Sequence, residues 1–198
     1  MSRVIFATKN MGKVREVGDI FSDTDYEIIS LIDLDNNLEI EENADTFEGN
    51  AKIKAEIVFQ KFKLPIIADD SGISVEQLGG KPGVYSARYA GRNATDEDNN
   101  DKLVWELDSY PEPHPAKYVC VSVYYNGIDF TTGYGEIKGK IIRIPRGNNG
   151  FGYDPHFVPD GYDVTMAELP SGEKNSISHR AKAFGQLKNR MKMTKEKI

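Results

Sequence analysis

The chain has 198 residues, of which 39% are hydrophobic, 10% aromatic and 28% charged, a composition that excludes disorder as a whole-chain description. Its formal charge of −6 argues against bulk nucleic acid or an anionic membrane as partners. A single cysteine, Cys120, inside an apolar run rules out an internal disulfide, and no apolar stretch reaches the ~20 residues that span a bilayer, so the protein reads as cytoplasmic. The acidity is uneven. Twelve Asp or Glu and no Lys or Arg lie from Glu16 to Glu48, whereas Lys174 to Ile198 holds eight basic residues and one acid, Glu196.

In chain order, Val4-Ile5-Phe6-Ala7 predicts a buried strand, followed by the polar loop Thr8-Lys9-Asn10-Met11-Gly12-Lys13. Val14, Val17, Ile20 and Phe21 then recur at helical spacing behind an Asn10 cap. A second strand is expected over Tyr26 to Ile32, and Asp33 to Asp45 shows no periodicity. Thr46 to Asn50 opens a helix running to about Phe62, whose register sets Asn50 and Lys54 on one line. Leu64-Pro65 ends it, and Ile66-Ile67-Ala68 predicts a short buried strand running into Asp69-Asp70-Ser71-Gly72.

Further on, Asp96 to Leu107 predicts a helix capped by Thr95, and Pro111, Pro113 and Pro115 mark a loop. Tyr118 to Tyr125 and Ile128 to Gly135 predict a hairpin around Asn126-Gly127, with another strand over Ile137 to Ile144. Three glycines within residues 147–152 mark a loop built for a ligand or a tight turn. A last helix is expected from about Ser178 to Met191, followed by a solvated basic tail with Lys192, Lys195 and Lys197. The fold class is α/β, a single domain over 1–198 with no internal linker.

Four features carry chemistry. A hydroxyl, an amide and an ammonium in Thr8 to Lys13 sit where a helix N-terminus favours an anion. The glycine spacing of a Walker A loop is absent, and an ordinary capped loop remains open. Asp69 and Asp70 are adjacent at a strand, so their side chains point to opposite faces and take different jobs, unless both are solvated acids of a turn. Glu41-Glu42 offers a second acidic pair. Phe151-Gly152-Tyr153-Asp154 combines aromatics with close backbone approach, suited to a nucleobase or to packing. Lys174, Ser178, His179 and Arg180 supply donors for phosphate or a purine oxygen. Together these suit a Mg²⁺-dependent phosphoryl-transfer site, since the donors are oxygens and the three histidines are scattered.

The chain resembles the inosine triphosphate pyrophosphatases in ordered blocks spread over nearly its whole length. They are Ala7-Thr8-x-Asn10-x-x-Lys13, Glu41-Glu42, Thr46-Phe47-Glu48-x-Asn50-Ala51, Ala68-Asp69-Asp70-Ser71-Gly72, Pro82 to Gly91, Gly150 to Pro155, Ala167-Glu168-Leu169 and Lys174-Asn175-x-Ile177-Ser178-His179-Arg180. The resemblance implies hydrolysis of ITP, dITP and XTP to the monophosphate and pyrophosphate. It implies that Thr8, Lys9, Asn10, Met11, Gly12 and Lys13 hold the triphosphate, and that Glu41 and Asp70 bind Mg²⁺. Asp70 would also accept the proton of the attacking water. Ser71 would touch substrate, Phe151, Gly152, Tyr153 and Asp154 would hold the base, and Lys174, His179 and Arg180 would read the 6-oxo edge and a phosphate. The implied fold is an elongated mixed sheet flanked by helices, two lobes around a substrate cleft, assembled as a homodimer. Two other readings stand beside it: a related pyrophosphatase for modified pyrimidine or methylated nucleotides, and a nucleotide-binding module without hydrolysis.

Overall fold

The computed structural model describes residues 2–195, with side chains to residue 192. A mixed six-stranded sheet is flanked by helices, with strand order β2-β1-β3-β4-β5-β6. The strands are β1 (Ser2–Phe6), β2 (Tyr26–Ser30), β3 (Ile66–Val75), β4 (His114–Tyr125), β5 (Phe130–Ile141) and β6 (Phe157–Pro159). The helices are α1 (Met11–Phe21), α2 (Leu31–Leu34), α3 (Phe47–Phe62), α4 (Asp96–Leu107), α5 (Ser171–Ile177) and α6 (His179–Lys195). Strand β1 runs parallel to both β2 and β3, and β5 pairs antiparallel with β6.

The chain divides into two compact units. The first comprises Met1–Asp70, Cys120–Gly135 and Arg180–Ile198, and the second Ser71–Val119 and Glu136–His179. In the first, β1 and β3 are covered on both faces, which is why Val4-Ile5-Phe6 and Ile66-Ile67-Ala68 are uninterrupted apolar runs. Val4, Phe6 and Ile67 pack with Val17, Phe21, Phe184 and Leu187 of α1 and α6. Ile5, Ile66 and Ala68 pack on the other side with Ala51, Ala55 and Val58 of α3. In the second unit, Ile73 and Val75 join Leu103 and Leu107 of α4, Tyr118, Ile137, Ile141 and Phe157.

Local signals translate directly into caps. Asn10 Oδ1 accepts from the Lys13 N–H at 3.1 Å, Thr46 Oγ1 from Gly49 at 3.0 Å, and Thr95 closes a reciprocal capping box with Asp98.

Several expectations change: β2 ends at Ser30 and α2 takes Leu31 and Ile32, while β4 begins at His114 and takes in Pro115. Strand β3 does not end at Ala68 but continues through Asp69, Asp70 and Gly72 to Val75, because the two carboxylates find partners on either face. Strand β5 is one strand where two were expected: Gly133, Gly135, Ile137, Gly139 and Ile141 share its buried face, and glycines hide that alternation. The segment Val84 to Arg88 belongs to a 3-10 turn over Gly83–Arg88, with Tyr89 as its C-cap, and α5 has no counterpart in the sequence reading. The last helix runs to Lys195, four residues beyond Met191; Lys197, in the expected tail, lies outside the described residues. Among the described residues no helix is long and apolar enough to cross a membrane.

Candidate active site

The parallel register carries the first unit's charged cluster. The Ala7 N–H donates to Ile67 O at 2.8 Å, so the turn leaving β1 runs beside Asp69. From α1, Lys13 Nζ then reaches Asp69 Oδ2 at 2.8 Å. Arg180, at the start of α6, ion-pairs with Glu16 of α1, and its Nε lies 3.8 Å from the same Asp69 oxygen. Asp69 is only 1% exposed. Burial opposes its ionisation, yet Lys13, Arg180 and Lys54 outweigh burial and hold its carboxyl below the usual range.

The side-chain period of two sends Asp70 to the opposite face, toward α3. Asn50 Nδ2 donates to Asp70 Oδ2 at 3.0 Å, and Lys54 Nζ lies 3.9 Å from Oδ1. These partners are one helical turn apart on α3, as the register predicted. Lys54 also pairs with Glu42 at 2.8 Å, and Asn50 Oδ1 accepts from the Ala44 N–H, tying the acidic loop to α3. Burial dominates at Asp70 and pushes its carboxyl upward, against the pull of Lys54, Lys13 and the Asn50 bond; Glu42 adds to the rise. Two adjacent carboxylates are thus driven in opposite directions, the pattern of an acid/base assignment. Glu41 lies exposed on the loop while Glu42 is the acid held by Lys54.

In the second unit the residues expected at the base form one network. Asp154 Oδ2 accepts from Lys174 Nζ at 2.7 Å and from the Phe151 N–H at 2.9 Å, and Oδ1 accepts from the Tyr118 hydroxyl at 3.2 Å. Lys174 Nζ stands 4.8 Å from the centre of the Phe151 ring. The Tyr118 ring stacks on His179, with centroids 4.7 Å apart and planes 7° from parallel. Gly150 has φ +80°, and a Cβ there would run into Asp154 and Lys174, so this position needs glycine twice over. Tyr153 is buried with its hydroxyl donating to Ser86 O at 2.8 Å, a packing role that keeps it neutral. Ser71 follows Asp70 on β3 and is half-buried.

The model of the Ham1 family matches residues 4–190. The chain belongs to the Ham1 family. It is 49% identical to the dITP/XTP pyrophosphatase of Bacillus licheniformis over 94% of this chain and 96% of that protein. Among solved structures, the Ham1 protein of Staphylococcus aureus is 37% identical, covering 98% of this chain and all of that one, with a TM-score of 0.86. A HAM1 protein from Coxiella burnetii is 36% identical over the same shares, with a TM-score of 0.88. The resemblance read from the motif blocks therefore holds at the level of family and fold.

In this Ham1 chain the expected residues fall into two sets. Thr8 to Lys13, Asp70 and Arg180 belong to the first unit, and Phe151 to Asp154, Lys174 and His179 to the second. Within its own unit Arg180 contacts Glu16 and Asp69. Sequence reasoning passed over Glu16 and Tyr118 as participants, and named Glu42 only as half of an acidic pair. Only the helical line of Asn50 and Lys54 signalled partners for Asp70.

The donor chemistry fits a hard divalent cation. Asp69 Oδ1 is buried without a hydrogen-bond partner among the described residues, and the buried Asp70 carboxyl is pushed upward. Among the described residues no three His, Cys, Asp or Glu side chains gather to hold a metal.

Proposed function

We propose that the protein is a Mg²⁺-dependent pyrophosphatase for nonstandard purine nucleoside triphosphates, converting ITP, dITP and XTP to the monophosphate and pyrophosphate. It would thereby keep these nucleotides out of DNA and RNA. The observation that carries this reading is the divergence of Asp69 and Asp70, one carboxylate locked by Lys13 and Arg180, the other pushed upward by burial. Its substrate class is that of the dITP/XTP pyrophosphatase named above.

In this reading the whole chain, 1–198, acts as one inosine triphosphatase-like domain. Thr8 to Lys13 receive the triphosphate through the α1 N-terminus and the Lys13 ammonium. Asp69 orients Lys13 and is itself too well paired to take a proton. Asp70, hydrogen-bonded by Asn50, accepts the proton of the water that attacks the α-phosphorus, and the α–β anhydride bond breaks with pyrophosphate leaving. Glu41 and Asp70 would hold Mg²⁺, which supplies charge neutralisation on the triphosphate when bound; Glu42, paired with Lys54, fixes the acidic loop. Ser71 would contact the substrate.

Phe151 to Asp154 take the base, with Lys174, His179 and Arg180 donating toward the 6-oxo group or a neighbouring phosphate. Adenine carries a donor amine at that edge and would leave donor facing donor, a mismatch costly enough for rejection. Guanine shares the 6-oxo group, so its exclusion must arise around C2. A homodimer in the cytoplasm completes the proposal.

The decisive experiment incubates the protein with ITP and MgCl₂ and resolves the products by phosphorus NMR. Pyrophosphate and IMP in equal amounts are expected. Orthophosphate, or nucleotide binding without turnover, would replace this reading with another hydrolase or a binding module, and a panel with dUTP and methylated triphosphates tests the base class.

A further inference from the structure

Gly152 lies in the loop that the proposed function assigns to the base, and α4 holds it from both sides. Its N–H donates to Asp96 Oδ2 at 2.7 Å, and its carbonyl accepts from Asn100 Nδ2 at 3.0 Å. Asp96 and Asn100 are four residues apart, so one face of one helix grips both backbone groups of a single residue. Gly152 has φ +64°, where glycine is free to wander and where fixing the peptide planes matters most.

The helix is itself anchored. Thr95 and Asp98 form its capping box, Leu103 and Leu107 are in the second unit's core, and Asn99 accepts from the Ala90 N–H at 2.8 Å and donates to Ala87 O. Asp96 is exposed, whereas Asn100 is buried with an Oδ1 that lacks a hydrogen-bond partner among the described residues. Among the described residues the Asn100 side chain thus hydrogen-bonds to Gly152 alone, and an exposed Asp96 adds little to global stability.

We propose that Asp96 and Asn100 are positioning residues for substrate discrimination. By clamping Gly152 they fix the 151–152 peptide, and with it the direction of the Phe151 ring against Lys174. The inference rests on the reading of Phe151 to Asp154 as the base site. Without the clamp the loop must be ordered by the incoming base, a cost that appears in substrate capture and leaves the hydrolytic step alone.

The test measures pyrophosphate release from ITP with Mg²⁺ for Asp96→Ala, Asp96→Asn and Phe151→Ala, together with inhibition by inorganic tripolyphosphate, which probes the phosphate end alone. For Asp96→Ala, KM for ITP should rise about tenfold with kcat within about twofold, while the tripolyphosphate Ki and the melting temperature stay put. Asp96→Asn keeps an acceptor oxygen and should recover most of the lost KM. An unchanged KM in Asp96→Ala beside a raised KM in Phe151→Ala overturns the clamp and leaves the base site standing. No change in either variant overturns both readings. A lower melting temperature with equal weakening of ITP and tripolyphosphate reduces Asp96 to a structural residue and also overturns the clamp.

Discussion

The two units organise polar chemistry in opposite ways. In the first, charge is mounted on regular elements: Asp69 and Asp70 on β3, Lys13 and Glu16 on α1, Asn50 and Lys54 on α3, Arg180 on α6. Strand and helix periods set the face on which each carboxylate lies, and the packing of α1, α3 and α6 against β3 supplies its partners. In the second, the working atoms belong to a glycine loop, and Asp154 gathers Lys174, Tyr118 and the Phe151 backbone around itself. A rigid lattice of ion pairs suits a triphosphate, whose charge is the same in every nucleotide. A shaped loop suits a base, whose edge is what distinguishes one nucleotide from another.

Replacing Asp70 by Asn should break the first unit's chemistry most severely. Loss of a proton acceptor costs on the order of a thousandfold in kcat, with the circular dichroism spectrum unchanged; folded variant protein with near-native kcat would remove Asp70 from that role. Next in size, Glu16→Ala removes one of the two carboxylates that face the buried Arg180 guanidinium and should cost roughly 3 kcal/mol of stability in urea unfolding. A loss within the range of ordinary surface substitutions would mean that the pair is not the brace of this cluster. In the second unit, Gly150→Ala places a Cβ against Asp154 and Lys174 at a positive φ, at a cost of about 2 kcal/mol. Its signature should be a raised KM for ITP with tripolyphosphate inhibition preserved, and equal loss of both would erase the contrast between the units.

The smallest effect concerns His114, fully buried at the start of β4. Burial lowers its pKa below 6.5; Arg143 assists, while Glu112 and Asp108 oppose, and Gln77 contacts Nδ1. The folded protein keeps this imidazole neutral, so its contribution is intact above pH 6.5 and is lost as pH falls below it, where only the unfolded chain takes the proton readily. The drop in urea midpoint from pH 7.5 to 5.5 should shrink in His114→Asn, and an identical drop would assign the acid sensitivity elsewhere.

Much of the fold was legible because its signals are local. Caps at Asn10, Thr46 and Thr95, the hairpin at Asn126-Gly127 and the apolar runs of β1 and β3 each depend on a few neighbouring residues. The length of β3 was not legible, since a strand through Asp69 and Asp70 is tolerable only when Lys13, Arg180, Asn50 and Lys54 arrive from distant parts of the chain. Nor was β5, because glycines on a buried face leave no apolar mark.

Residue types and their order therefore determined the α/β class, the opposite orientation of the paired carboxylates and the membership in the Ham1 family. Only the tertiary structure decided that Asp69 is locked while Asp70 is pushed upward, that Lys54 holds Glu42, and that α4 grips Gly152. The physical reason is that a carboxylate's chemistry depends on desolvation and on charges a few ångströms away, and those distances exist only once residues 56 or 164 positions apart in sequence are brought together.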